Sequence, residues 1–368
     1  MLSMIKKIIF GFIVLFWPIA AIAAPSITDI TWSGSLADET VITITGSSFG
    51  SKTNAKPVAW ADFEGGSIAF DTSLCVTETS IVNNSSRVSI HSTEGDQPHT
   101  DSNYCGRSPD FSGLGGSYIV TIGLDDSNYA NDHWYVFCRR YYDSGLFDNN
   151  NSTNVKLDGR FMTSDEKSQT YIILWSTDTN QLRNGEASCT ANDSMTYQVY
   201  DYLSEWFTVE WEMDQGDAGS SNGVYHNWIN GSAVSQELTD MAGRCTGEGT
   251  WCHLNMQVYF CDGDDLPSST KYAYWDDFYV DNTWSRVMVG DNATYESCTW
   301  RHPVIPTAWA DGEITAEFKR GGQTGTAYIF VVDSSGDAST GEEITIGGTG
   351  NGTPQITGIT IVEVPFDF

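Results

Sequence analysis

"WFTVEWEMDQGD" (Trp206–Asp217) and "NGVYHNWINGSAV" (Asn222–Val234) lie almost end to end and read as two consecutive strands. Both are rich in aromatic and β-branched residues with a period of two, and Gly, Asp, Ser and Asn cluster between them. Alternation sets Glu210, Glu212 and Asp214 on one face of the first strand. In the second it aligns His226, Trp228 and Asn230, with a turn at Asn230-Gly231. An imidazole beside an indole can border a sugar-binding surface or flank an ordinary hairpin, and this stretch leaves both readings open. The three carboxylates are expected on a solvated face.

The same texture runs through the chain, in "TVITITG" (Thr40–Gly46), "HWYVFCRRYY" (His133–Tyr142), "TYIILWS" (Thr170–Ser176), "MQVYF" (Met256–Phe260) and "AYIFVVD" (Ala327–Asp333). No window after the first two dozen residues carries a 3.6-residue apolar period, so the predicted class is all-β. A length of 368 residues predicts about two domains, and many short strands predict sandwiches or jelly rolls.

Residues 1–23 read as a signal peptide, with Lys6 and Lys7, an apolar run from Ile8 to Ile22, and small residues before Ala24-Pro25. No other stretch approaches the roughly 18 apolar residues of a membrane span. The expectation is a secreted protein, extracellular or periplasmic. There, eight cysteines favour disulfides over a metal-thiolate site, and Cys245 and Cys252, which bracket a short Gly-rich loop, are the first pair expected. The formal charge is -30, and loss of Lys6 and Lys7 makes it -32 (-30 - 2). That balance excludes nucleic acid as a partner. It also opposes a polyanionic ligand unless a local basic groove or bound calcium offsets the field.

Two changes of texture suggest domain boundaries. "PSITDITWSGSLADETVITITGSSFG" (Pro25–Gly50) resembles the opening of an immunoglobulin-like IPT/TIG domain, with an "ITxI" strand and then a "VTITGxxFG" strand. The later strands of such a domain are resembled by "SRVMVGD" (Ser285–Asp291), "DGEITAEFK" (Asp311–Lys319) and "GTAYIFVVDSSGDASTG" (Gly325–Gly341). The implied organisation is an immunoglobulin-like domain split between residues 24–57 and 284–349, with a second domain inserted at 58–283. Residues 350–368 form a Gly-rich linker and an apolar strand, "ITGITIVEVPFDF". That strand either completes the immunoglobulin-like domain or adds to a neighbour's sheet, which would make a self-assembling surface or fibre subunit.

The insert begins with "VAWADFEGG" and ends with "KYAYWDDFYVD", aromatic-acidic strands expected to pair. With "WFTVEWEMDQGD", "NGVYHNWINGSAV" and "NVKLDGRF" (Asn154–Phe161), it resembles the concanavalin A-like jelly rolls, which include laminin-G-like lectins and polysaccharide lyases. The resemblance implies a polysaccharide or cell-surface glycan as partner. Alternation offers Arg139 or Arg140, Lys156, Arg160, His226, Trp228, Gln257 and Tyr259 as the lining of one groove. Rings would stack on sugars, and Asn, Gln and Arg would bond hydroxyls. Function is therefore expected to be non-catalytic polysaccharide binding, with β-elimination by a jelly-roll lyase as the alternative and a structural or adhesive subunit as the third reading. A glycosidase fits less well, because the "E-x-D-x-x-E" pattern of jelly-roll glucanases is absent. Asp62, Glu64 and Asp277, with Asp276 and Asp281, would gather if the insert's first and last strands pair, and they suit a structural calcium.

Overall fold

The structure is a computed structural model that describes residues 23–77, 82–83, 88–92, 103–112, 118–125, 127–147, 155–163, 169–174, 180–185, 196–197, 202–233, 238–241, 246–247, 249–260 and 267–348. The described residues form strands and turns with no α-helix. The chain enters with β1 (Ser26–Trp32) and β2 (Val41–Ser47). The long middle section holds β3 (Ala59–Ala61), β4 (Val82–Asn83), β5 (Ser89–Ser92), β6 (Tyr104–Arg107), β7 (Tyr118–Asp125), β8 (His133–Tyr142), β9 (Val155–Thr163) and β10 (Gln169–Leu174). It continues through β11 (Asn180–Gly185), β12 (Thr196–Tyr197), β13 (Phe207–Asp214), β14 (Gly223–Ile229), β15 (Ser232–Ala233), β16 (Leu238–Met241), β17 (Trp251–Phe260) and β18 (Ala273–Asp281). The chain then makes β19 (Arg286–Gly290), β20 (Arg301–Ala310), β21 (Glu313–Glu317), β22 (Gly325–Val332) and β23 (Glu342–Ile346).

The outer two stretches share one sheet, ordered β1-β2-β21-β20-β19-β22-β23. Strand β20 carries Pro303 and Pro306, and its register slips between Pro306 and Ala308. Its first half pairs with β19 and its second with β21, so the sheet folds over. Leu36 closes the fold by exchanging backbone hydrogen bonds with Gly347 and Gly348. Inside lie Ile42, Ile44, Phe49, Val289, Ile314, Phe318 and Ile329, all buried. The result is a small β-sandwich.

The middle section is a larger jelly-roll sandwich. One sheet runs β12-β11-β10-β9-β17-β7-β4 and the other β15-β14-β13-β8-β18-β6-β5, with β16 paired to β14 and β3 to β18. Strands β3 and β18 pair through Phe278↔Ala61, Tyr279↔Trp60 and Val280↔Ala59, so the first and last strands of this section lie side by side. Leu254, Met256 and Val258 of the first sheet share a core with Trp134, Val136, Val209 and Trp211 of the second. Trp60, Trp134, Trp211, Trp251 and Trp275 are among the largest fully buried side chains, so much of the aromatic excess is core.

All nine residues of β18 are buried. A strand of a two-layer sandwich normally hides one face only. Around Tyr279 the second face is hidden because the small sandwich lies on it: Met288, Ile305, Phe330 and Val332 belong to the same apolar cluster as Trp60, Tyr135 and Phe137, whereas Tyr274 is covered by Tyr141, Trp206 and Tyr272 of the large sandwich itself.

Candidate functional site

The seven residues expected to line one groove fall on two sheets. Arg139, His226 and Trp228 are on β8 and β14, in the sheet that carries the small sandwich, whereas Lys156, Arg160, Gln257 and Tyr259 are on β9 and β17 of the other. A single groove does not form from all seven, because strand alternation says which residues share a strand face and leaves the sheet membership open.

His226 and Trp228 lie at the junction of the two sandwiches. The hairpin turn forms as expected, with Asn230 at φ 48° and Gly231 at φ 70°, the left-handed pair that a two-residue hairpin needs. Across the pair of strands, Glu212 faces His226 and Glu210 faces Trp228. His226 Nδ1 lies 3.1 Å from Glu212 Oε2, and its ring meets Trp228 edge-on at 5.7 Å. The small sandwich supplies two arginines, neither exposed at all. Arg286 approaches Glu212 Oε1 to 2.6 Å and donates to the Tyr295 hydroxyl. Arg301 donates through Nε to Glu210 Oε1 at 3.0 Å and lies over the Trp228 ring at 5.2 Å. The Tyr135 hydroxyl donates to Glu210 Oε2 at 3.0 Å, and Arg286 stacks on the Tyr135 ring at 4.0 Å.

This network corrects the expectation of a solvated carboxylate face. Glu210 is 0% and Glu212 3% exposed, and only Asp214 reaches the margin. Carboxylates buried to this degree need paired cations and hydrogen bonds. Burial raises the pKa of Glu212, but the Arg286 guanidinium and His226 outweigh it and hold the carboxyl below its usual range. Burial also pushes the Tyr295 phenol up to about 12, against the two arginines, which keeps it a hydrogen-bonding phenol at neutral pH.

The acids assigned to calcium do not gather into a cage. Asp62 meets the Lys319 ammonium at 3.3 Å, and burial raises its carboxyl against that charge. Glu64 accepts from the backbone of Asn103 and Tyr104 and from the Asn103 amide. Asp277, at φ 48° in a bulge of β18, accepts from Arg139 at 3.4 Å and lies 3.1 Å from His302 Nε2. Among the described residues, no three His, Cys, Asp or Glu side chains are placed to hold a metal. Asp62 is thus answered by a lysine of the small sandwich, Asp277 by an arginine of the adjacent strand, and Glu64 by N–H groups.

Of the cysteines, Cys75, Cys105 and Cys298 are free and buried, so the disulfides that an even count favours do not include these three. Each behaves as a small core residue, and burial raises each thiol above its ordinary value. Cys245 lies outside the described residues, so its pairing with Cys252 does too.

On the remaining sheet, register brings the other four positions together. Leu254, Met256 and Val258 face the core, so 253, 255, 257 and 259 occupy the opposite face of β17. There Tyr259 pairs with Lys156, Gln257 with Asp158, and Asn255 with Arg160. Arg160 pairs onward with Tyr171 of β10, and Tyr171 with Arg183 of β11. One row therefore reads Asn255, Arg160, Tyr171, Arg183 across four strands, two residues along from Gln257 and Asp158 and four from Tyr259 and Lys156. The side chains of all these residues except Asn255 lie outside the described residues. Asn255 leans over β7, where a Cβ on Gly123 would stand 2.6 Å from its Oδ1, so only glycine leaves it that place. Tyr171 and Arg183 escaped the sequence reading because register across four strands is written in no local pattern.

No protein-family model matches the chain, and no curated protein matches it. Several solved structures resemble it in part. An alginate lyase from Aplysia kurodai aligns over 53% of this chain and 87% of its own at 12% identity and a TM-score of 0.38. An endo-β-1,4-glucuronan lyase from Trichoderma reesei covers 54% and 87% at 13% identity and 0.39. The binding domain of botulinum neurotoxin serotype G covers 75% and 73% at 10% identity and 0.40. Likeness of this degree carries no argument about what the chain does.

Proposed function

We propose that the protein acts on a uronate-bearing polysaccharide by β-elimination on the face of the β9–β17 sheet that carries Asn255. The observation that carries this reading is the row Asn255, Arg160, Tyr171, Arg183 beside the Lys156–Tyr259 pair. β-Elimination needs a group that neutralises the sugar carboxylate, a base for the C5 proton and an acid for the departing O4. Arg160 and Asn255 suit the first role. Tyr259 and Lys156, paired across two strands, suit proton removal and return, and Gln257 suits a hydroxyl contact. Arg139 and His226, expected among these groups from the sequence, are committed to the junction instead. Lys156, Arg160 and Arg183, set in register against Asp158 and the Asp125–His253 pair, would supply the positive charge that an anionic ligand requires on so acidic a chain. In the same reading the protein is secreted and the small sandwich is an immunoglobulin-like carrier of the IPT/TIG type.

The test is incubation of the protein with alginate, polygalacturonate and glucuronan while following the ultraviolet absorbance of unsaturated ends. Absorbance growth on one polymer is expected, reduced on the order of 10²-fold or more in Tyr259→Phe, the scale of a lost proton-transfer group. The second reading is binding without cleavage, favoured by Tyr171 between two arginine positions, a stacking ring flanked by planar donors. Retention on an immobilised polymer with no unsaturated product would select it, and neither retention nor product would sink both.

A further inference from the structure

A cleft of about 580 Å³ opens where both chain crossings between the two sandwiches run, within the roughly 300–1,000 Å³ range of small-ligand sites. One wall is the crossing from β2 to β3, with Thr53 and Asn54, and another the crossing from β18 to β19, with Asn282 and Trp284. The turn before β8 adds Asn128 and Tyr129, and the β22–β23 turn adds Ser334. The cleft borders the arginine-glutamate junction through Trp284, whose ring lies 6.1 Å from His226 and whose carbonyl accepts from Arg286, and no residue of the β9–β17 face lines it.

Its chemistry is that of a neutral polyol. No Asp or Glu lines it, although the chain carries 48 of them. Its two potential cations are already matched: Lys52 pairs with buried Asp281, and His133 lies 3.0 Å from Asp132 and 3.5 Å from Asp214. An anion would find no unmatched cation in the lining, and a cation would find no carboxylate. Asn131 is likewise taken up, by the Asn282 carbonyl and the Asp132 N–H, and the lining is completed by the side chains of Asn54, Asn128 and Asn282, four Ser and Thr hydroxyls and two aromatic rings. Amides and hydroxyls both donate and accept, as sugar hydroxyls do.

The rings are held in place. Trp284 Nε1 donates to the carbonyls of Trp134 and Met213, 3.2 Å each, and the Tyr129 hydroxyl donates to the Val76 carbonyl at 2.9 Å. Their polar ends are thus satisfied inside the protein, and the part each contributes to the cleft is apolar ring, suited to sugar C–H groups. Such fixed groups lower the ordering cost of binding. We propose that this cleft is a second carbohydrate site, specific for a short neutral oligosaccharide.

The experiment is calorimetric titration of the full protein with cellotetraose, maltotetraose, mannotetraose and xylotetraose, with trigalacturonate as the charged comparison. Saturable binding of at least one neutral sugar is expected. Asn54→Ala and Ser334→Trp, both at exposed positions, should each weaken it at least tenfold, and Arg160→Ala should leave it unchanged. The proposal is overturned if no neutral sugar binds, if trigalacturonate alone binds, or if binding is lost in Arg160→Ala and kept in Ser334→Trp. Because the lyase assay reads a different face and product, either proposal can fail while the other stands.

Discussion

At Glu212, burial and charge pull in opposite directions, and the balance can be read as a pH dependence. Burial favours the neutral acid, while Arg286 at 2.6 Å and His226 at 3.1 Å favour the carboxylate more strongly, so the folded group titrates below its ordinary 4.5. A depressed carboxyl stabilises the fold fully above its unfolded value, and the contribution fades as pH falls through the folded one. Urea melts of wild type and Glu212→Gln should therefore differ by a constant amount near neutrality, and the gap should close below about pH 4.5. A gap that widens with acid would overturn the assignment. Glu210 gives a second outcome. Removing it strands Arg301, which is fully buried, so Glu210→Ala should cost about 3–5 kcal/mol, the scale of a broken buried pair. At this scale the sequence shows the face and hides the partner. The alternation of "EWEMD" correctly groups Glu210 with Glu212, and "VYHNWIN" groups His226 with Trp228. The arginines that cover them lie 74 and 91 positions further on (286 - 212 and 301 - 210), with no local pattern to announce them.

Among elements, the β14–β15 hairpin and the β7–β17 pair show how a glycine reports a neighbour. Gly231 sits at φ 70°, and a Cβ there would stand 2.6 Å from the Cys298 carbonyl oxygen of the small sandwich. Backbone strain and a blocked carbonyl act together, so Gly231→Ala should destabilise by roughly 1–3 kcal/mol in a denaturant melt. The same change in a free hairpin would cost only the backbone part. Gly123 is the counterpart on the other sheet, where a Cβ would meet Leu254 O at 2.1 Å and Asn255 Oδ1 at 2.6 Å. Gly123→Ala should shift Asn255 and lower turnover or affinity for the uronate polymer at least tenfold, while neutral-sugar binding at the junction cleft stays as in wild type. Loss of both would point to collapse of the sheet rather than to Asn255. The hairpin was legible, since Asn-Gly after an alternating run has one common solution. The sheet order was not, because a seven-strand register depends on which distant strands bury which faces.

For the whole molecule, the question is whether two sandwiches with two connecting crossings unfold separately. Interfaces between domains of one chain are commonly polar and loosely coupled, which makes independent unfolding the default expectation. Here the large sandwich presents Glu210, Glu212, Tyr135 and Trp60 to the small one, and the small one holds Arg286 and Arg301 with no exposure. Each layer supplies the counter-charge that the other has buried, and the apolar cluster runs through both. Separation would break two ion pairs and expose the apolar cluster that both layers share, so paired charge and apolar area together oppose it. Wild type should therefore show one calorimetric transition whose van't Hoff and calorimetric enthalpies agree. The double variant Arg286→Met, Arg301→Met should split it into two, because unmatched Glu210 and Glu212 then gain by reaching water. Two transitions in wild type would mean that the junction is a contact between autonomous domains. A single transition that survives both substitutions would place the coupling in the shared apolar cluster, with the charges serving only to fix the relative register of the two sandwiches.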